Sequence, residues 1–202
     1  MATIPNSTDN VSTGKGVAGG YLFSAPKPGT TETLDTLITG LLAMGELSES
    51  FSNLGFVAND GLTESESKST STETDMNGDP IYTTSSDRNE TWKVRLVEMK
   101  REAALKEIYG DGNVSGTTTL VAQHNGDDHP EHVYVLELVL KDGSRARKVM
   151  PLGQVTEIGD MVINSTTLLG REITISGNMY TNAAGTVKGT AFDVYGPKTK
   201  GQ

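Results

Sequence analysis

Cysteine is absent from the 202 residues, which excludes disulfide scaffolds, thiolate zinc sites and thiol catalysis. Aromatic side chains are scarce at 5%, whereas serine and threonine make up about a fifth of the chain. That balance favours β-structure and polar loops over a helical bundle. No apolar run has the length of a membrane span; the longest, Val133 to Leu140, is interrupted by Glu137. The opening residues, Met1 to Thr8, lack both a basic stretch and an apolar stretch, so no secretory leader is expected. Basic residues are also in deficit, at 17 against 26 acids, for a formal charge of −9. A free duplex-binding protein needs a basic footprint, and this chain has none overall.

The charge is unevenly spread. Residues 1–99 hold 14 acids and 6 bases, while 100–202 hold 12 and 11. Between Pro28 and Ser67 there are seven acids and no lysine or arginine. Such asymmetry suits a molecule whose two faces meet different neighbours, and a solvated acidic face is the plainer reading.

Along the chain, residues 1–20 read as a mobile polar arm, and Tyr21 to Ala25 as a short strand stopped by Pro26. Thr33 to Asn53 carries Leu34, Leu37, Ile38, Leu41 and Leu42 at helical spacing. Gly40 and Gly45 limit the expectation to one or two helical turns within a long excursion. A turn is expected at Asn59-Asp60-Gly61. Thr63 to Asp75 has no apolar side chain, so neither face of such a strand can pack on a core. It is either a disordered loop or a strand partnered by another chain. Asn77-Gly78-Asp79-Pro80 turns the chain, and Ile81 to Glu98 returns with Trp92, Val94 and Leu96 on one face. Together the two arms suggest a long hairpin with a polar outer end, spanning residues 62–80 and the returning strand.

Glu98 to Tyr109 is the best helix, with Ala104, Leu105, Ile108 and Tyr109 in a stripe ended by Gly110 or Gly112. Strands are then expected over Gly116–Gln123, Val133–Lys141, Arg145–Leu152, Val155–Val162 and Arg171–Ser176. Val133–Lys141 is apolar on both faces and should be central. Asp142-Gly143 is a tight turn, and 178–202 reads as a C-terminal arm. The expected architecture is a single domain, mainly antiparallel β with one flanking helix.

Little of the sequence points to chemistry. All three histidines fall between His124 and His132, and His124, Asp128 and His132 are the one candidate metal set. Their spacing matches no standard zinc pattern, and Asn-Gly with His-Pro marks an exposed hairpin. Gly14-Lys15-Gly16-Val17-Ala18-Gly19 has the letters of a dinucleotide loop but no preceding strand or following helix. Asp75 to Asp79 echoes a calcium loop with its glycine misplaced. No nucleophile elbow is present and no carboxylate sits in an apolar setting, so no catalytic residue and no cofactor are expected. Arg145 and Arg147 share a strand face and suit an acid-rich neighbour or solvent.

An ordered series of segments carries a resemblance. It runs from Gly16-Val17-Ala18-Gly19-Gly20-Tyr21-Leu22-Phe23-Ser24-Ala25-Pro26 through Leu54-Gly55-Phe56-Val57-Ala58-Asn59-Asp60-Gly61-Leu62. It continues with Glu90-Thr91-Trp92-Lys93-Val94-Arg95-Leu96-Val97-Glu98 and Ile108-Tyr109-Gly110, then Glu131–Lys141, the basic strand to Pro151, and Glu157-Ile158-Gly159-Asp160. Over roughly residues 14–176 the chain resembles the major tail proteins, or tail tube proteins, of long-tailed phages with non-contractile tails.

The resemblance implies a β-sandwich-like tail tube fold whose antiparallel sheets close into an inter-subunit barrel. It implies hexameric rings stacked into a tube that passes double-stranded DNA to the host. Other implied partners are the tail terminator and the tail-tip and tape-measure proteins. The protein would be made in the host cytoplasm, reside in the virion tail and enter no membrane. Candidate subunit or ring contacts are Glu64, Glu66, Lys68, Glu73, Asp75, Asp79, Arg145 and Arg147. A contractile-tail tube is a variant of this reading. The competing class is a β-sandwich adhesion or carbohydrate-binding module, which needs exposed aromatics; the single tryptophan is expected in the core.

Overall fold

The computed structural model describes residues 11–197. The ends of the two expected arms, 1–10 and 198–202, lie outside the described residues. The elements run β1 (Gly14–Gly16), β2 (Leu22–Pro26), α1 (Thr31–Leu42), β3 (Ser52–Asn53), β4 (Val57–Thr74), β5 (Pro80–Leu96) and α2 (Glu102–Tyr109). After a 3-10 turn at Asp111–Asn113 come β6 (Val114–Ser115), β7 (Val121–Ala122), β8 (His132–Leu140), β9 (Arg145–Ile158) and β10 (Arg171–Gly177). The chain then continues through β11 (Tyr180–Thr181), β12 (Lys188–Gly189) and β13 (Phe192–Tyr195). The main sheet has the order β3-β2-β8-β9-β10-β5-β4, with β1 also on β8 and β13 also on β9, and every pairing is antiparallel.

The β8–β9 hairpin is the centre, as the two-sided apolar run of β8 requires. Even-numbered Tyr134 and Leu136 join Trp92, Val94, Leu96, Met150, Ile173 and Ile175 in a core that α2 closes through Ala104 and Ile108. Odd-numbered Val133 and Val135 join Val149 and the α1 side chains Leu34, Ile38 and Leu41 in a second core on the opposite face. The result is a mainly β, sandwich-like fold with apolar layers on both sides of its central strands.

Several elements differ from the sequence expectation. The helix α1 has 12 residues, three turns rather than one or two. Gly40 faces open space, so its cost is the intrinsic one of about 1 kcal/mol, and the Leu34–Ile38–Leu41 stripe outweighs it. Thr30 caps the helix, its Oγ1 accepting from Thr33 N at 3.3 Å. Asn59-Asp60-Gly61 is a bulge inside β4 instead of a turn, where the register jumps from Val57↔Leu96 to Leu62↔Val94. Gly116–Gln123 forms only the two-residue strand β7, and β9 ends at Ile158, short of Val162. Both arms are partly tied down. Gly14–Gly16 pairs with Leu138–Leu140, and Phe192–Tyr195 pairs with Ala146–Val149. Asp35 accepts from Tyr180 Oη at 2.6 Å and from Ala183 N at 2.8 Å, which fastens the C-terminal segment to α1.

Close packing fixes one glycine. A Cβ at Gly153 would stand 2.5 Å from the Tyr134 ring and 2.9 Å from Ile175 Cγ2, and both neighbours are fully buried. Gly153→Ala is expected to cost about 1–3 kcal/mol of stability, read as a lower urea midpoint at unchanged slope.

Candidate assembly surface

The feature that sets this molecule apart is the β4–β5 hairpin. At its root, where Thr91–Leu96 of β5 pairs with Arg171–Ser176 of β10, it is clamped to the body, and its outer part continues as two strands bonded only to each other among the described residues. The pairing of β5 with β10 ends at Thr91↔Ser176, and among the described residues β4 has no neighbour but β5. From Thr63 to Thr74 and from Pro80 to Asn89 nearly every side chain is exposed. Both outer edges therefore present unpaired backbone donors and acceptors, and neither face has a core to cover it. The two possibilities left by the sequence, loop or strand on another chain, give way to a hairpin partnered within the chain.

Charged groups mark where the hairpin leaves the body. Glu64 accepts from Trp92 Nε1 at 3.3 Å and from Lys148 Nζ, and Lys148 also donates to Asp193 at 2.8 Å. One step outward, Arg88 Nε donates to Glu66 at 2.7 Å, while Glu90 accepts from Thr190 Oγ1. Lys68 pairs in register with Arg88, and beyond them the register shifts around Asp87, a bulge residue with φ of 39°. Glu73, Asp75 and Asp79 lie further out. Asp75 shapes the turn, its Oδ1 accepting from Asn77 N at 2.8 Å and Asp79 N at 2.9 Å. Those backbone donors, led by Asp79 N, hold its carboxyl below the ordinary value. The expected contact set thus divides: Glu64 and Glu66 anchor the hairpin root, whereas Lys68, Glu73, Asp75 and Asp79 are carried outward.

A cleft of about 760 Å³ opens beside the root, between the Gly16–Leu22 segment and the base of β4, over Leu136 and Leu138. Of its charged wall groups, Glu98 pairs with Arg101 at 2.6 Å and Glu64 with Lys148, while Asp60 forms no ion pair among the described residues. Trp92 is fully buried, which removes it as a sugar platform.

Arg145 and Arg147 behave differently although they share a strand face. Arg145 is exposed. Arg147 is turned into the body: its Nε donates to Glu137 at 2.6 Å and its Nη1 donates to Leu41 O at 2.9 Å. The alternation of β9 placed both on one face but could not reveal that α1 covers only the inner of the two, so Arg147 faces its own helix instead of a neighbour. Removing one partner of a buried ion pair strands the other charge. Arg147→Ala is expected to lower stability by about 3–5 kcal/mol, against about 0.5 kcal/mol or less for Arg145→Ala, in parallel urea titrations.

The histidine segment does not gather a metal cage. His124 stacks on Tyr109 at 4.3 Å, Asp128 is exposed, and among the described residues no group of three metal-ligating side chains converges. His132 is instead buried in a polar cluster absent from the sequence reading. Its Nδ1 lies 2.8 Å from Glu107 Oε1 and its Nε2 3.1 Å from Asp111 Oδ2, and Tyr134 Oη donates to Glu107 Oε2 at 2.6 Å. Burial pulls the His132 pKa down, but the Glu107 and Asp111 carboxylates together outweigh it and hold it above the ordinary value. A raised folded-state value means that the protonated ring stabilises the fold. That contribution is complete below the unfolded value of about 6.5 and fades as pH rises through the folded one. The melting-temperature advantage of the native chain over His132→Gln is accordingly expected to shrink between pH 6 and pH 8.5; a gap independent of pH would contradict it.

Among the described residues, a sheet body holds out an arm whose strands pair only with each other. The chain belongs to the phage tail tube protein family, whose model matches residues 8–184, well over half of the 202. It is a structural component of the virion tail, from a family that is not one of enzymes. No curated protein matches it.

Proposed function

We propose that the protein polymerises as stacked hexameric rings into a non-contractile tail tube that conducts double-stranded DNA to the host. The observation that carries this reading is the outer β4–β5 hairpin, with two open edges and both faces exposed. A subunit that closes rings removes such edges by pairing them with the next copy. The exposed contacts are Lys68, Glu73, Asp75, Asp79 and Arg145, with Glu64 and Glu66 setting the direction in which the hairpin leaves. Tail terminator, tail-tip and tape-measure proteins would cap and template the polymer, which is built in the host cytoplasm.

The charge of −9 suits a conduit. A basic wall would hold phosphates at many points, whereas an acidic one repels them within a Debye length of about 8 Å at physiological salt. DNA then slides without being bound.

Negative-stain electron microscopy with light-scattering mass across a concentration series tests the reading. Rings or tubes with a central channel are expected from the full chain. Replacing Ser69–Ser86 by Asn-Gly should leave a folded body melting within a few degrees of the original, with tube formation lost. Tubes of unchanged dimensions from that variant would remove the hairpin from assembly.

A further inference from the structure

The β9–β10 loop, residues 159–170, lies at the opposite end of β5 from the hairpin turn. Register fixes this placement: Arg171, which follows the loop, pairs with Leu96 at the body end of β5, and Arg95 Nη2 donates to Leu168 O at 2.9 Å. The 17 residues of β5 separate that end from the turn by roughly 55 Å of extended strand.

Both ends carry apolar side chains that no described residue covers. Ile163 and Leu168 are 78% and 73% exposed in the loop, and Phe56, held beside the end of β5 by Val97 N donating to its carbonyl, is exposed with them. At the hairpin turn Met76 is 99% exposed, with Ile81 and Tyr82 also open. These three interrupt an otherwise polar arm, where solubility alone would place none.

The two ends also differ in charge. From Ser69 to Asp87 the hairpin holds four acids and no base. At the loop end Arg95, Lys100 and Arg171 form no ion pair among the described residues, and Arg171 Nε is buried with no hydrogen-bond partner. The nearby Glu98 and Glu172 are already bound to Arg101 and Lys93. Glu157, Asp160 and Asp60 of the β4 bulge are the opposing charges there, so this end offers cations within a mixed field whereas the hairpin tip offers acids alone.

We infer that the hairpin turn of one copy, through Met76, Ile81 and Tyr82, docks on the Ile163–Leu168 loop end of a second copy. Two different patches meeting head to tail along the strand axis make a heterologous contact, the kind that propagates a stack. This inference rests on the polymer proposed above and assigns its receiving surface.

The cysteine-free chain permits a direct test. Full-length Met76→Cys and Ile163→Cys variants, one carrying a mass tag, are mixed, assembled and oxidised. A disulfide-linked heterodimer is expected in the assembled fraction, with at least tenfold less dimer when either variant is oxidised alone. Ile163→Asp and Tyr82→Ser should each raise the protein concentration needed for assembly by tenfold or more while leaving the melting temperature unchanged. Tubes that form without the 76–163 cross-link overturn the inference and leave the tube reading standing. Failure of the native chain to assemble at any concentration overturns both. Normal assembly of Ile163→Asp coupled with loss of another tail protein would assign the loop to that partner and overturn the inference.

Discussion

Everything in this structure depends on the β8–β9 hairpin being covered on both faces. Strand Val133–Leu136 sends alternate side chains into two cores, one roofed by α1 and one enclosed by the β5 and β10 side chains with α2. A one-residue slip of this strand would exchange Tyr134 and Leu136 with Val133 and Val135 between two differently shaped cores and part Glu137 from Arg147, so the register is fixed by packing and by that buried pair. Its neighbours inherit that fixed register. The β5 segment Thr91–Leu96 takes its position from β10, which takes its own from β9. The direction of the outer hairpin is therefore set deep in the body, and not by contacts along its length.

That rigidity explains where polar groups were admitted. Arg147 and Glu137 are buried across the β8–β9 ladder, where the guanidinium also satisfies the last turn of α1 through Leu41 O. Glu107 performs a comparable task on the other side, joining α2 to His132 and Tyr134 of β8. Buried groups of this kind bind helices to the sheet at a defined position, because a displaced helix would leave a charge unpaired. Apolar packing alone tolerates sliding more readily.

The sequence made the central strand, the hairpin, α2 and the inward Trp92 face legible, because each rests on a periodicity that tertiary context did not oppose. It hid the length of α1, since Gly40 reads as a breaker and only the fold reveals that it faces open space. It hid Glu107 and Arg147 for a related reason: a charge on a helix or strand carries no mark of what will be laid over it. His132 was visible as part of a histidine cluster, yet its true partners are 25 and 21 residues away along the chain. The family was readable from segment order, whereas the receiving surface for an arm depends on Phe56 and on side chains from β5, β10 and the 159–170 loop that only the register brings to one end.

An arm with two open edges is also a hazard, and its composition answers that hazard. Between Thr63 and Asp75 there is no apolar residue, so a chance pairing with another chain buries no hydrophobic surface and gains only ladder hydrogen bonds, each worth about 1 kcal/mol net. The acids along it disfavour any register that sets acid directly opposite acid on a second arm. The bulge at Asp87 breaks the flat edge that indiscriminate pairing needs. Apolar attraction is confined to the turn and the body end, so pairing along the shaft that leaves those unlike ends apart gains little. Assembly is thereby separated from aggregation by the same sequence feature, a polar shaft with an apolar tip, that leaves the arm without a partner in the free subunit.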